Sequence, residues 1–258
     1  MPAVLEIHEG ALGFGGRALW SALDLTVEPG EFLAVLGANG SGKTSLLRAI
    51  LGQQDLDSGT IEVGGRPVRR GDRRIGYIPQ QRLVAPGTPL RGRDLVTLGV
   101  NGHRFGLPVT SAADRERVDA AITAVGASDY AEQPMGSLSG GEQQRLRVAQ
   151  ATASDPLLLL ADEPLTSLDL AHQRGVAELI DRQRHEKETA VVFVTHDVNP
   201  VLGMVDRVLY LAQGRFTVGT PEEVLRSEVL SALYGTSVEV LHRDGRVFVA
   251  GATDVGHH

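Results

Sequence analysis

Short, nearly uninterrupted apolar runs recur along this chain, and each gives way to glycine or polar residues. The clearest are residues 32–36, 157–161 and 190–194. A strand with one wet face alternates apolar and polar positions, so runs apolar throughout predict strands covered on both faces. Between them the period changes. From Lys43 to Leu51 the apolar positions Leu46, Leu47 and Ile50 fall at helical spacing. Segments 112–125, 140–154 and 171–185 combine helical spacing with good helix formers. Buried strands alternating with helices predict an α/β domain with a mostly parallel central sheet.

The flanks read differently. Residues 4–7 and 23–27 predict two short strands, the second ended by Pro29-Gly30, which makes an N-terminal antiparallel β piece. Residues 60–63 and 75–78 are extended pieces separated by an arginine-rich stretch, 66–74. Residues 86–155 change texture and predict a mostly helical subdomain. Beyond the last buried run, 207–211 and 215–218 pair across Gln213-Gly214. A helix is expected over 221–233, then a hairpin of 238–241 with 246–249 turning at Asp244-Gly245.

The chain has 258 residues, of which 42% are hydrophobic, enough for one substantial core. We therefore expect a single domain over 1–258: a core from about 1–85 and 156–220, the helical subdomain at about 86–155, and a short C-terminal appendix at about 221–258. The 31 glycines and 12 prolines sit among recurring apolar runs and indicate tight turns rather than disorder. A formal charge of -7 gives no support to a nucleic-acid footprint, so no nucleic-acid partner is expected. The local exception, 66–74, suits an anion or lipid contact but reads first as a solvated loop. The absence of cysteine excludes disulfides and thiolate chemistry. No basic-then-apolar N-terminal segment suggests a secretory signal, and no apolar run approaches the roughly 20 residues of a membrane helix. A soluble, intracellular chain is expected, with any membrane role supplied by a partner. The terminal His257 and His258 are compatible with either a native end or a tag, and two histidines alone make a poor metal site.

Three polar clusters follow the three buried runs. Gly37, Ala38, Asn39, Gly40, Ser41, Gly42, Lys43 and Thr44 fit G-x-x-x-x-G-K-[ST], with a strand before and a helix after. Glycines let the backbone turn its N–H groups inward as an anion nest, and the helix adds its positive end. Lys43 can then reach β- and γ-phosphates, and the Thr44 hydroxyl can ligate Mg²⁺. Asp162 and Glu163 follow the second run. Two adjacent acids at the end of a buried strand are costly unless they face a cation or a polar cleft. Asp162 is the candidate Mg²⁺ ligand, and Glu163 the candidate general base for an attacking water. His196 follows the third run and could touch both the γ-phosphate and the water. In a parallel sheet these three ends share one edge, where open α/β sheets bind ligands.

A second helix start has the same character. Ser139 is a good N-cap, and Gly140 and Gly141 leave N–H groups accessible ahead of Glu142 and Gln143. One nucleotide has little need of two such sites in one subunit.

Leu138-Ser139-Gly140-Gly141-Glu142-Gln143 is also the signature sequence of ABC ATPases, a P-loop NTPase family that this chain resembles from about residue 3 to residue 219. The motifs stand in the family's order. Gly37 to Thr44 resembles Walker A, Gln80 the Q-loop, 158–163 Walker B, Ser167-Leu168-Asp169 the D-loop and His196 the switch histidine. Phe14 sits where the family places an aromatic that stacks on adenine. The resemblance implies ATP and Mg²⁺ as cofactors. It makes Glu163, His196 and Gln80 catalytic, and Thr44, Gln80 and Asp162 Mg²⁺ ligands. ATP would be held by Phe14, by Gly37 through Ser45, and by Ser139, Gly140, Gly141, Glu142 and Asp169. It further implies a head-to-tail homodimer in which each ATP lies between Walker A of one subunit and the signature of the other.

The chain carries one motif set, no membrane span, and only residues 81–138 between Gln80 and Ser139. Soluble relatives in DNA repair insert a long coiled coil, and those in translation pair two ATPase domains on one chain. The pattern is closest to a separate importer subunit. That implies integral membrane permease partners, met by the stretch from Gln81 to about Gly106, and indirectly an extracytoplasmic substrate-binding protein. The expected location is peripheral, on the cytoplasmic face of the inner membrane. Residues 73–81, 95–99, 195–201, 205–211 and 229–235 resemble the zinc and manganese importer ATPases. Siderophore and haem importers are the nearest alternative.

Overall fold

In the computed structural model, residues 2–80, 84–85, 87–102, 111–166 and 168–251 are described. Expectations placed on Gln81, Ser167, His257 and His258 lie outside them. The chain begins with two long antiparallel strands, β1 (Leu5–Phe14) and β2 (Arg17–Val27), and then enters the sheet with β3 (Phe32–Gly37). Helix α1 (Lys43–Ile50) follows directly, then β4 (Ser58–Val63), the two-residue β5 (Arg66–Pro67) and β6 (Ile75–Ile78). Among the described residues the α-helices α2 (Gly92–Asn101), α3 (Ala112–Ala124) and α4 (Gly140–Thr152) come next. The chain returns to the sheet with β7 (Leu158–Asp162), α5 (Leu170–Lys187), β8 (Ala190–Val194), β9 (Arg207–Ala212) and β10 (Arg215–Gly219). It closes with α6 (Pro221–Val224), α7 (Ser227–Tyr234) and the hairpin β11 (Glu239–Arg243) and β12 (Arg246–Ala250).

The six-stranded sheet runs β10-β9-β3-β8-β7-β6, parallel throughout except for β10, which returns antiparallel on β9. A separate antiparallel sheet has the order β2-β1-β4-β5. Every residue of β7 and β8 is buried, as expected of strands without a wet face. Each central strand divides its side chains between two cores. Phe32, Ala34 and Leu36 of β3 pack with apolar residues of α4, α5 and α7. Leu33 and Val35 pack with α1 and with Leu5, Ile7 and Trp20 of the antiparallel sheet. The alternation that strand geometry imposes is thus used on both faces.

Three local readings change. Strands β1 and β2 extend well beyond residues 4–7 and 23–27. Register shifts near Gly10 and left-handed residues at Glu9 and Ala22 interrupt the alternation there, so the sequence pattern hides the strand. The expected helix over 221–233 splits at Leu225, which is buried; Arg226 is extended, with a φ of -129° and a ψ of 144°. Burial of Val224, Leu225 and Leu230 in one core requires the turn that helical spacing alone would not give. Finally, the arginine-rich stretch is not wholly solvated. Arg66, Arg69, Arg70 and Arg73 are exposed, but Arg74 turns inward. Its guanidinium pairs with buried Asp72 and donates to the carbonyl oxygens of Val63, Arg66 and Pro67, stapling the β4–β5 turn to the start of β6. Arg74 holds the Asp72 carboxyl below the usual carboxylate range. Among the described residues, no helix is long and apolar enough to cross a membrane.

Candidate functional site

Strand register fixes where the chemistry gathers. Val35 of β3 and Asp162 of β7 both pair with Val194 of β8, and Ile78 pairs with Ala161, two residues before Gln80. The carboxyl ends of four parallel strands therefore open on one edge.

The loop between β3 and α1 is made by its glycines. Gly37 has a φ of 142°, and a Cβ there would lie 2.2 Å from the Leu211 carbonyl oxygen, so only glycine passes beneath β9. Gly42 precedes α1 in a left-handed conformation and supplies no side-chain cap, so the first-turn N–H groups keep their donor capacity. Lys43 is buried, and its Nζ donates to the carbonyl oxygens of Gly37 at 2.6 Å and Ala38 at 3.0 Å. Burial pushes the Lys43 pKa down, and the charges of Glu163 and Asp162 work against that shift. The Ser41 hydroxyl is buried and, among the described residues, has no hydrogen-bond partner. An uncapped helix start, an orphaned hydroxyl and a desolvated ammonium around one glycine turn are what a polyphosphate would satisfy.

The acids sit opposite. Asp162 is buried, and that burial, followed by the neighbouring charge of Glu163, raises its pKa; the Tyr77 hydroxyl lies 3.5 Å from its Oδ2. A buried carboxylate of this kind suits a divalent cation, which would reverse its desolvation. Thr44, Asp162 and Gln80 together supply the all-oxygen donors Mg²⁺ prefers. Glu163 adopts a left-handed φ of 44°, uncommon for a residue with a Cβ, and its N–H donates to the Val194 carbonyl at 2.9 Å. That backbone turn sends the side chain into the cleft. Its Oε2 accepts from Gln80 Nε2 at 3.2 Å and from Thr166 Oγ1 at 3.2 Å, and His196 Nδ1 stands 3.6 Å away. A carboxylate oriented from three sides beside a phosphate loop has the geometry of a general base.

One cleft of about 1110 Å³ is lined by Phe14, Gly37, Ala38, Asn39, Gly40, Gly42, Lys43, Thr44, Ser45, Gln80, Glu163 and His196. Ser41 belongs to the same loop, and Asp162 immediately precedes Glu163. Phe14 is 81% exposed, open to a flat apolar partner. The other expected ATP contacts are not brought to this cleft. Ser139, Gly140, Gly141 and Glu142 open α4, where the Ser139 Oγ accepts from the Glu142 N–H at 3.3 Å and the Ser139 N–H donates to Glu142 Oε2 at 2.8 Å. Gly141 gives room to the His172 ring, since a Cβ there would lie 2.3 Å from its Cδ2. Asp169 accepts from the His172 N–H at 2.9 Å and lies 2.7 Å from its Nδ1, so it caps α5. Among the described residues its contacts are within that helix.

The roles of Thr166 and Tyr77 went unread in the sequence. Thr166 had a signal: it lies three residues after Glu163, closing a turn with its N–H on the Glu163 carbonyl at 3.2 Å. Tyr77 had none, because its approach to Asp162 depends on β6 pairing with β7.

The raised Asp162 pKa makes a prediction. A carboxyl whose folded pKa lies above its unfolded value opposes folding when ionised, and that penalty fades as pH falls toward the unfolded value of about 3.9. Asp162→Asn should raise the unfolding midpoint of the nucleotide-free protein at pH 7, by about 2–4 °C for each kcal/mol relieved. The gain should shrink toward pH 4, and Mg²⁺-ATP should stabilise the variant less than the wild type. Calorimetry checks both; a lowered midpoint at pH 7 would contradict the assignment.

The family model described as ABC transporter matches residues 20–166. The chain is 34% identical over 239 residues to a zinc import ATP-binding protein, ZnuC, of Pseudomonas fluorescens (strain Pf0-1), covering 93% of this chain and 85% of that one. It is 35% identical over 245 residues to a hemin import ATP-binding protein, HmuV, of Rhodococcus jostii (strain RHA1), covering 93% and 81%. Among solved structures, a chain of a metal-chelate type ABC transporter in an inward-facing conformation superimposes with a TM-score of 0.81 at 28% identity, covering 96% of each chain.

Proposed function

The chain belongs to the ABC transporter family and is an ATPase, and we propose that it powers import of a metal ion, zinc or manganese, through a separate membrane permease. The convergence of Gln80, Thr166 and His196 on one oxygen of Glu163, across from Lys43, is the observation that carries the hydrolytic part. In this reading Gly37 through Ser45 cradle the phosphates, and Phe14 stacks on adenine, worth roughly 1–3 kcal/mol per base. Thr44, Gln80 and Asp162 hold Mg²⁺, which when bound neutralises charge on the phosphates. Glu163 takes the proton of the attacking water, and His196 donates toward the developing charge. Two subunits pair head to tail, so that Ser139 through Glu142 and Asp169 of each complete the cleft of the other. This accounts for a second helix start that lies away from the first cleft in its own subunit.

The cargo rests on the zinc import relatives and on the sequence likeness in residues 73–81, 195–201 and 229–235. The hemin import relative, at comparable identity and coverage, favours a haem or siderophore importer as the second reading. The permease is expected over the surface after Gln80, with an extracytoplasmic binding protein beyond it and this subunit peripheral to the inner membrane. Gln143 suits a relay there: its Oε1 accepts from the Val84 N–H at 3.1 Å, and its Nε2 donates to the Leu138 carbonyl at 3.2 Å, one residue before Ser139.

The test is gene deletion followed by radiolabelled zinc and manganese uptake, and by growth with haem as the iron source. Loss of zinc or manganese uptake, restored by the wild-type gene but not by Lys43→Ala, is the expected result. A defect confined to haem or siderophore use favours the second reading, and normal uptake of all of them overturns the importer.

A further inference from the structure

The loop that carries His196 is tied to the C-terminal hairpin by one side chain. Asn199 Oδ1 accepts from the Val247 N–H at 2.8 Å, and Asn199 Nδ2 donates to the Val247 carbonyl at 2.9 Å. A carboxamide carries the same donor and acceptor as a peptide group, so Asn199 takes the place of a neighbouring strand residue on the free edge of β12. The rest of the loop is nested around the same point. Asp197 Oδ1 accepts from the Asn199 N–H at 2.9 Å and from its Nδ2 at 2.8 Å. Thr195 Oγ1 donates to the Asp197 carbonyl at 2.8 Å and accepts from the Asp197 N–H at 3.2 Å. Both Nδ2 hydrogens and the Oδ1 of Asn199 are thus engaged.

His196 lies inside this nest but is not held by it. Its side chain is 60% exposed, and its polar neighbour is Glu163 at 3.6 Å. The ring is therefore aimed by its backbone, and the backbone by Asn199. The hairpin is itself braced from behind: the Ser231 Oγ accepts from the Val238 N–H at 2.9 Å and donates to its carbonyl at 3.1 Å, while the Val240 N–H donates to the Ser227 Oγ at 2.9 Å. Phe248, next along β12, lines the same cleft as Lys43 and Glu163.

We propose that Asn199 is a positioning residue for ATP hydrolysis, and that the C-terminal hairpin acts through it to hold His196 against Glu163. The inference rests on the ATPase reading and goes beyond it, because it makes the C-terminal segment part of the hydrolytic machinery. Asn199→Asp keeps the size of the side chain but turns a second carboxylate toward Asp197 and the Val247 carbonyl. Asn199→Ala removes the tie altogether.

Steady-state ATPase measurements on the full chain should find kcat reduced about tenfold or more in both variants, with KM for ATP within about threefold of wild type. A positioning residue acts only through the group it positions. In a His196→Ala background, adding Asn199→Ala should therefore lower kcat less than about twofold, the non-additivity of two residues in one unit. Ser231→Ala, outside the loop, should give a smaller loss in kcat with KM unmoved, and it provides the test if the Asn199 variants fold poorly. Unchanged kcat in the single variants, the same loss in both backgrounds, or a loss carried by KM would overturn the proposal. Wild-type protein without hydrolysis would instead sink the ATPase reading itself.

Discussion

Glu163→Gln is expected to lower ATP turnover by about 10²–10⁴-fold, the range a general base supplies, while ATP binding survives. The geometry explains why the two effects separate. A glutamine carbonyl can still accept from Gln80 Nε2 and Thr166 Oγ1, so the side chain keeps its place at the end of β7. The left-handed backbone at Glu163 is held by its N–H on the Val194 carbonyl, which the substitution leaves intact. What disappears is basicity toward water. One electrostatic change favours Mg²⁺ binding, because Glu163 is one of the causes that raise the Asp162 pKa, although its charge also supports the Lys43 ammonium. Without that charge Asp162 ionises more readily and is a better Mg²⁺ ligand. Single-turnover hydrolysis and nucleotide retention on a filter measure the two quantities separately. Near-normal turnover by a verified variant removes Glu163 from the role of base.

Much of this architecture could be read along the chain. Residues 32–36, 157–161 and 190–194 are apolar at every position, so burial of 32–36, 158–161 and 190–194 on two faces needed no tertiary knowledge, though Leu157, just before β7, is 45% exposed. The polar clusters that end these runs had to share an edge once the strands were parallel. The phosphate loop was legible for the same reason, since Gly37 and Gly42 occupy backbone conformations that other residues resist. What stayed hidden depends on contacts between distant segments. The extension of β1 is masked by its irregular register, and the break at Leu225 is set by the core it enters. The tie from Asn199 to Val247 joins residues 48 apart and leaves no local trace, because an asparagine two residues after an aspartate ordinarily marks only a turn. The arginine at 74 shows the converse. Composition predicts solvent for the whole run, yet one guanidinium finds a buried carboxylate and three carbonyls.

Mixing Lys43→Ala subunits with Ser139→Arg subunits should restore nucleotide binding that neither variant retains alone. Lys43 is the buried ammonium of the phosphate loop, and its loss damages the cleft of the subunit that carries it. Ser139 does not line that cleft; its hydroxyl caps α4 on an exposed surface, where an arginine has room within the subunit but would block a facing one. If each ATP lies between the two sites, a Lys43→Ala homodimer lacks two good loops and a Ser139→Arg homodimer lacks two good signatures. The heterodimer has one site damaged twice and one site intact. Random pairing makes about half the dimers heterodimers, so about a quarter of the sites are whole under the isologous geometry of a two-fold dimer. In a Glu163→Gln background those sites should retain ATP long enough to be counted. If Ser139 served only its own helix, Ser139→Arg subunits would bind ATP unaided and mixing would add nothing, which would rule out a composite site.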